Sequence, residues 1–409
     1  MSAGLRSSEE LLSLVYSPGE QENLYRHYAS LLEAAPVHFT PEGGCVVVSH
    51  SGCEQVLRGR AFSALGPEIL NEVRPDWRVH PAYVTGYGGM FGMNPPEHTR
   101  LRKLAMDAFT PRRVELMEDT IQELVDELVG DMARRAAGGQ PVDFMACLAD
   151  PLPVLVIGDL LGVPRTEHER LRRTMREWLR VFEPTVTEEE VALADAAAVG
   201  LWGYLGDLIA DRRAHPGDDL LSELIRGSAD GDRLSPGDLI GMVASLYVAG
   251  FDTTTNLLAN GMKALCDHPD RARELRSTPG LARSAVEELL RFDAPFPFTT
   301  RVATEDVEVD GYRVPARTHV TLFLAAANHD PEVFPDPGRL DLHRRPNPHL
   351  TLGHGVHFCL GAHLARLEAK VAFPTLLRRF ADLSLAAPPT RRASLAIHGY
   401  SVMPVHAVE

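Results

Sequence analysis

From Pro95 onward, apolar positions recur with helical spacing over most of the chain. Leu116, Ile121, Leu124, Val125 and Leu128 make one amphipathic stripe, which Gly138–Gly139 ends. The same periodicity predicts helices over 153–161, 167–182, 188–211, 218–226 and 281–292. A long helix is predicted from Ser235 to His268, with Ser235 as its cap, Pro236 in the first position and Asp238 in the first turn. The first hundred residues are mixed. Val46, Val47 and Val48, framed by Gly43–Gly44 and Ser49–His50, predict a short buried strand. Residues 83–93, with Gly86, Gly88, Gly89 and Gly92, predict a loop that can lie close to something flat. Its Gly-x-Gly pattern is a weak nucleotide signal, because no strand precedes it and no long helix opens on it.

After residue 300 the pattern changes. Val302, Val307, Val309 and Val314 around Asp310–Gly311 predict a β-hairpin over 301–315. Residues 331–351, rich in Pro and His, predict a meandering surface loop, and a last helix follows Cys359. There is no internal repeat and no linker-like tract. The expected fold is mainly α with a minor β part, one domain over residues 1–409.

Composition narrows the function. The 409 residues are 44 % hydrophobic and 24 % charged, which describes a globular chain with enough length to enclose a pocket. A formal net charge of −15 argues against nucleic acid or an anionic membrane as main partner. Cys45, Cys53, Cys147, Cys266 and Cys359 show no Cys-x-x-Cys spacing and read as reduced thiols of a cytoplasmic protein. The apolar stretch after Glu9–Glu10 is too short for a signal peptide. No run approaches the ~18 apolar residues of a membrane span, so no membrane insertion is expected.

Three constellations could carry chemistry. The first is Leu352-Gly-His-Gly-Val-His-Phe-Cys-Leu-Gly361, followed by His363, Arg366 and Lys370. Glycines at 353, 355 and 361 let the backbone bend tightly and approach a bulky planar group. A cysteine just before a helix gains thiolate character from the backbone N–H groups and the dipole, which suits an axial haem ligand. Two plainer readings compete: a buried Cys acting as a small hydrophobe, and a zinc site from His354, His357, Cys359 and His363. The two-residue spacing of His357 and Cys359 suits structural zinc poorly.

The second is Ala249-Gly-Phe-Asp-Thr-Thr-Thr255, inside the long helix. An interior Gly and three threonines are poor helix formers, and a mid-helix Thr can bond the carbonyl four residues back and bend the helix. Asp252 beside Thr253 supplies the parts of a proton relay. A kinked core helix with a capping Asp is the plainer reading. The third is Glu287-Glu288-Leu-Leu-Arg291, where Arg291 shares a helix face with either glutamate. By itself this reads as a solvated surface pair.

In this order and at these separations the three motifs resemble the cytochrome P450 family of haem-thiolate monooxygenases, in its soluble bacterial form. Pro95-Pro-Glu-His-Thr-Arg-Leu-Arg102, Arg301 and Gly361-Ala-His-Leu-Ala-Arg366 add to the resemblance, which covers the chain from about residue 90 to its end. It implies a cytochrome P450 fold around a buried haem b. Cys359 would ligate the iron, and His98, Arg102, Arg301 and His357 would hold the haem propionates. Glu288 and Arg291 would be the structural pair behind the haem, and Asp252 and Thr253 would deliver the protons that dioxygen activation needs. The family usually has Phe seven residues before the cysteine. Leu352 stands there instead, so looser packing beside the thiolate is expected.

The implied reaction is hydroxylation or epoxidation of a lipophilic small molecule, a polyketide, terpenoid or peptide secondary metabolite. The alternative is a haem protein without monooxygenation: a sensor, carrier, haem-thiolate isomerase or peroxygenase. Asp252–Thr253 favours the oxygenase, since the other classes need no such relay. By resemblance the pocket would be lined by 83–93, 177–193, 245–249, 295–298 and 396–397. No flavin or nicotinamide fingerprint occurs, so electrons are expected from a ferredoxin and a flavin-dependent ferredoxin reductase. Arg100, Lys103, Arg112, Arg113, Arg366 and Lys370 are the expected docking patch.

Overall fold

The helical stripes of the sequence become seventeen α-helices among the residues that the computed structural model describes, 7–227 and 234–409. In chain order they are α1 (Ser8–Val15), α2 (Leu24–Ala34), α3 (His50–Arg58), α4 (Pro67–Val73), α5 (Pro81–Tyr87), α6 (Glu97–Ala108), α7 (Pro111–Glu115), α8 (Glu118–Ala136) and α9 (Pro151–Leu161). Then follow α10 (His168–Trp178), α11 (Glu188–Ala214), α12 (Leu220–Gly227), α13 (Pro236–Asp267), α14 (Pro269–Ser277), α15 (Ala282–Phe292), α16 (Leu324–Ala327) and α17 (Ala362–Arg379). Short strands make the minor part: β1 (Val37–Phe39), β2 (Cys45–Val47), β3 (Phe62–Ser63), β4 (Val142–Asp143), β5 (Thr299–Ala303), β6 (Val307–Val309), β7 (Tyr312–Val314), β8 (His319–Leu322), β9 (Asp382–Leu385), β10 (Thr390–Arg391), β11 (Tyr400–Val402) and β12 (Pro404–Val408).

The chain forms two compact units whose segments alternate along the sequence. One comprises the residues up to Ala64, Asn260–Cys359 and Arg391–Tyr400. It is built on a five-stranded sheet in the order β1-β2-β8-β5-β3. Strands β2 and β8 run parallel, and the other pairs are antiparallel. Val47, Val320 and Leu322 are fully buried on the sheet, with Val56 and Leu57 of α3 packed in the same core. The other unit comprises Leu65–Ala259, Leu360–Thr390 and Ser401–Glu409. In it α8 packs on α17 and α10 on α11, while β4, β12 and β9 form a small antiparallel sheet.

Most predicted helices lie where their periodicity puts them. Ser235 caps α13 as expected: its Oγ accepts from Asp238 N at 3.0 Å, and its own N–H donates to Asp238 Oδ2 at 3.1 Å. The hairpin needs correction. Only β6 and β7 form it, closed by Asp310 (φ 45°) and Gly311 (φ 81°), the left-handed pair that a two-residue type I′ turn demands. Val302 and Arg301 belong instead to β5, where Arg301 pairs with Val320 of β8. The 331–351 segment has no regular element, as predicted, yet it is not wholly a surface loop: Phe334, Leu340, Leu342 and Leu350 are buried.

A second correction concerns 83–93. Its first half is the helix α5, begun by Pro81 and held from outside. Trp178 Nε1 donates to Ala82 O at 3.0 Å and Trp202 Nε1 to Thr85 Oγ1 at 2.8 Å. Gly86 does lie close to something flat, but it is the ring of Phe182, whose Cζ stands 2.9 Å from where a Cβ would be. A third concerns membrane spans. One described helix, α11, is long and apolar enough to cross a membrane by length and composition, because alanine, leucine and valine fill its middle. Its packed stripe is Val191, Ala194, Ala198, Leu201, Leu205, Leu208 and Ile209.

Candidate active site

In the first unit the Cys359 loop is shaped by its backbone. Gly353 and Gly355 adopt φ of 69° and 68°, the left-handed region that other residues rarely enter. A Cβ on Gly355 would stand 2.5 Å from Leu57 O, so the position excludes any side chain. Cys359 N donates to Leu352 O at 2.8 Å and Phe358 N to Gly355 O at 3.1 Å. The loop is thus closed through the main chain of residue 352, and a leucine serves that bond as well as a phenylalanine would. His357 stands in a single 3₁₀ turn, Gly355–His357, two residues before the half-buried Cys359. Among the described residues no three His, Cys, Asp or Glu side chains cluster to hold a metal, so the zinc alternative has no ligand set.

Arg301 is the informative cation of this unit. It is 9 % exposed, and among the described residues its Nη1 donates only to Thr300 O at 2.7 Å and Thr299 Oγ1 at 3.4 Å. Burial lowers its pKa to about 10. A guanidinium buried without a carboxylate among the described residues is costly, and it calls for an anion from outside the chain.

Behind the loop in sequence lies a network that the surface-pair reading underrated. Glu288 and Arg291 are both 0 % exposed. Arg291 Nε and Nη2 donate to the two Glu288 carboxylate oxygens at 2.8 Å each. Arg344 Nε lies 3.2 Å from both oxygens, Asn347 Nδ2 donates to Oε2 at 3.2 Å, and Asp341 N donates to Oε1 at 3.0 Å. The rest of Arg291 is spent on the carbonyls of Asn328 and Pro337 at 2.9 Å and of Arg339 at 3.3 Å. Arg291 therefore pins the irregular 328–347 chain. Glu287 turns aside to His349, 3.0 Å away, which settles on structural grounds which glutamate belongs to the pair.

In the second unit, His98 and Arg102 occupy one face of α6 at i,i+4 spacing. His98 is 1 % exposed and Arg102 is half-buried. Asp252 and Thr253 are adjacent on α13. Thr253 Oγ1 donates to Ala249 O at 2.7 Å, the predicted back-bond, yet the helix runs unbroken through it. Gly250 is explained by packing: a Cβ there would meet Ile157 of α9 at 2.9 Å. Asp252 is buried, and Arg176 Nε of α10 stands 3.5 Å from its Oδ1. Arg176 Nη2 also holds Asp150 Oδ1 at 2.6 Å, and Asp150 is shared with Arg172 at 3.0 Å.

Two side chains of these networks escaped the sequence reading. Arg344 sits in an irregular segment, and Arg176 is one of several arginines on a charged helix. Neither carries a local signal, because each is selected by a partner more than fifty residues away in the chain. The expected docking cations lie in the second unit, but several are already engaged. Arg100 pairs with Glu97 at 2.9 Å, Lys370 with Glu118 at 2.8 Å, and Arg113 with Glu223.

A protein-family model for cytochrome P450 matches residues 280–393. The cytochrome P450 monooxygenase PikC of Streptomyces venezuelae is 43 % identical over 376 residues, covering 89 % of this chain and 86 % of the relative. The mycinamicin IV hydroxylase/epoxidase of Micromonospora griseorubida is 40 % identical over 373 residues, 89 % of this chain and 90 % of the relative. Among solved structures, P450BioI in complex with an acyl carrier protein carrying hexadec-9Z-enoic acid superposes with a TM-score of 0.87 at 32 % identity. That match covers 95 % of this chain and 99 % of the other.

Proposed function

This chain belongs to the cytochrome P450 family, and from that premise we propose that it hydroxylates or epoxidises a lipophilic secondary metabolite. The proposal takes residues 1–409 as one cytoplasmic domain holding haem b, with Cys359 as iron ligand and His98, Arg102, Arg301 and His357 at the propionates. The buried Arg301, short of an anionic partner among the described residues, fits a group that brings carboxylates. The glycine-shaped Cys359 loop fits a group that needs close backbone approach.

Haem, when bound, supplies reductive activation of dioxygen. The chain supplies the protons and the exclusion of water. Thr253 Oγ1 spends its own proton on Ala249 O, which leaves its lone pairs free to accept a hydrogen bond in the pocket. Asp252, one residue away, holds a carboxylate inside the helix bundle, where Arg176 stands as a nearby cation at 3.5 Å. Glu288, Arg291 and Arg344 hold the chain that leads into the Cys359 loop.

The observation that carries this reading beyond haem binding is the Asp252–Thr253 pair with its arginine. A sensor, carrier or isomerase has no use for a held carboxylate beside a back-bonded hydroxyl. Electrons would come from a small acidic ferredoxin, itself reduced by a flavin-dependent reductase. The test is spectroscopic. Reduced protein under carbon monoxide should show the red-shifted Soret band of thiolate ligation, and Cys359→Ser should abolish it. Protein carrying zinc and no haem would overturn the reading. A difference-spectrum screen of lipophilic compounds would then find the substrate class.

A further inference from the structure

We propose that His80 is a positioning residue that latches the turn before α5 to α11 by sharing one imidazolium between two carboxylates. The latch opens as the ring gives up its second proton. His80 Nδ1 lies 2.7 Å from Asp195 Oδ2 on α11, and His80 Nε2 lies 3.3 Å from Asp76 Oδ2 in the turn. The same Asp195 takes the backbone N–H of Ala82 at 2.9 Å on its other oxygen. The imidazole is 18 % exposed, Asp195 20 % and Asp76 56 %.

A histidine between two carboxylates is satisfied only with both nitrogens protonated, since the neutral ring has one donor and one acceptor. Neutral His80 can keep Asp195, but its other nitrogen then turns a lone pair toward Asp76. The hydrogen bond that the ring donates to Asp195 is the largest influence on it and raises its pKa above 6.5. Burial opposes it, the Asp76 hydrogen bond and the Asp195 charge support it, and Arg74 opposes it weakly. The sign follows: latching is complete below 6.5 and is lost as pH rises through the raised value.

The charged groups around the ring come from three places. Asp76 and Arg74 belong to the preceding turn, Asp195 and Glu188 to α11, and the Tyr83 ring of α5 lies 6.1 Å away. Arg74 joins the same junction, reaching Asp76 at 3.4 Å, Glu188 at 3.2 Å and the Tyr83 hydroxyl at 3.3 Å. The remaining ties of α5 are neutral: Trp178 to Ala82 O, Trp202 to Thr85, and Tyr87 to Val181 O. Of the polar ties named here, only His80 changes charge near neutrality. Deprotonation therefore releases Asp76 from the ring and loosens the 74–80 turn, while the Asp195 and Arg74–Glu188 ties keep α5 and the turn's ends on α11.

The latch does not depend on the proposed function. Only its consequence does, because Tyr83 is an expected pocket residue and its neighbour Arg74 moves with the turn. The experiment is amide hydrogen exchange of the holoprotein over residues 74–84, corrected for intrinsic rate, at pH values on both sides of 6.5. Wild type should lose protection several-fold as pH rises. His80→Gln should be poorly protected at every pH. Asp76→Asn, whose amide N–H can donate to the lone pair of the neutral ring, should lose the pH dependence while keeping protection. Wild-type protection that does not change with pH, or a pH dependence that survives both substitutions, overturns the latch. The carbon monoxide band, recorded on the same samples, reports separately on the haem reading.

Discussion

Glu288 and Arg291 stand three residues apart on α15, both wholly buried, and meet through two parallel hydrogen bonds of 2.8 Å. Such a fork places two charges in the interior on condition that both remain. Arg291→Leu leaves Glu288 with Arg344 as its only cation among the described residues, and it frees three backbone carbonyls of the 328–339 chain. Breaking a buried pair costs about 3–5 kcal/mol. The expected outcome is failure to accumulate holoprotein, measured as haem absorbance per mole of protein. Arg344→Leu leaves the primary fork intact and should cost less by the same measure.

Arg301 gives the opposite pattern. Its pKa, lowered by burial to about 10, means that it is charged at neutral pH with no carboxylate beside it among the described residues. In the apoprotein, Arg301→Met should then be neutral or stabilising in thermal unfolding, since the guanidinium has no carboxylate to lose among the described residues. The same variant should retain haem less well, read as faster transfer of haem to an acceptor protein. A variant less stable as apoprotein with unchanged haem retention would show that Arg301 serves the sheet alone.

Thr253 and Asp252 should separate binding from chemistry. Thr253→Ala removes the back-bonded hydroxyl and leaves the helix intact, because alanine is the better helix former. Substrate binding should persist while oxygen consumption uncouples from product and peroxide appears. Asp252→Asn should lower kcat more than it changes KM. Arg176→Gln, which releases Asp252 toward other partners, should resemble Asp252→Asn in a milder form. Tight coupling in all three would place the relay elsewhere.

How much of this was legible in the sequence depends on the distance over which each feature is decided. The cap of α13, the Asp310–Gly311 turn and the back-bond of Thr253 are settled within four residues, and all three stand as read. Helix α5 was missed because its glycines suggest a loop, whereas tryptophans at 178 and 202 and the ring of Phe182 stabilise it from other elements. The surface-pair reading of Glu288–Arg291 failed for the same reason. Local spacing gives the pair, but its burial is conferred by the 328–347 chain. Resemblance supplied what locality could not, and it was silent on Arg176 and Arg344.

Glu368 of α17 is 1 % exposed, and its Oε2 has no hydrogen-bond partner among the described residues. Burial raises its pKa well above 4.5. In the unfolded chain the same group ionises near that ordinary value. Above pH 4.5 the unfolded state therefore binds fewer protons than the native one, and stability falls with rising pH until the native pKa is passed. Glu368→Gln keeps the shape and removes the titration. The stability difference between variant and wild type should widen in the variant's favour by about 1.4 kcal/mol per pH unit over that window. A protonated-acid carbonyl band, lost in the variant, should persist in the infrared spectrum above pH 4.5, where exposed glutamates ionise. A flat difference across pH would mean that Glu368 is ionised and solvated.

Docking of an acidic electron donor should depend on the cations that the fold leaves uncommitted. Arg100, Arg113 and Lys370 already face Glu97, Glu223 and Glu118, so much of their field is neutralised locally. Lys103 on α6 and Arg112 on α7 are exposed and have no acidic partner among the described residues. Charges at the rim of an interface act mainly on association rate, and salt screens them over about 8 Å at physiological ionic strength. Reduction by ferredoxin should slow as salt rises. Lys103→Glu and Arg112→Glu should slow it further, more than Arg113→Glu, and the haem spectrum should not change. Arg113→Glu should instead lower thermal stability, because it sets two carboxylates against each other between α7 and α12. If the rate ignores both salt and the Lys103 and Arg112 substitutions, the donor docks on another face or through apolar contact.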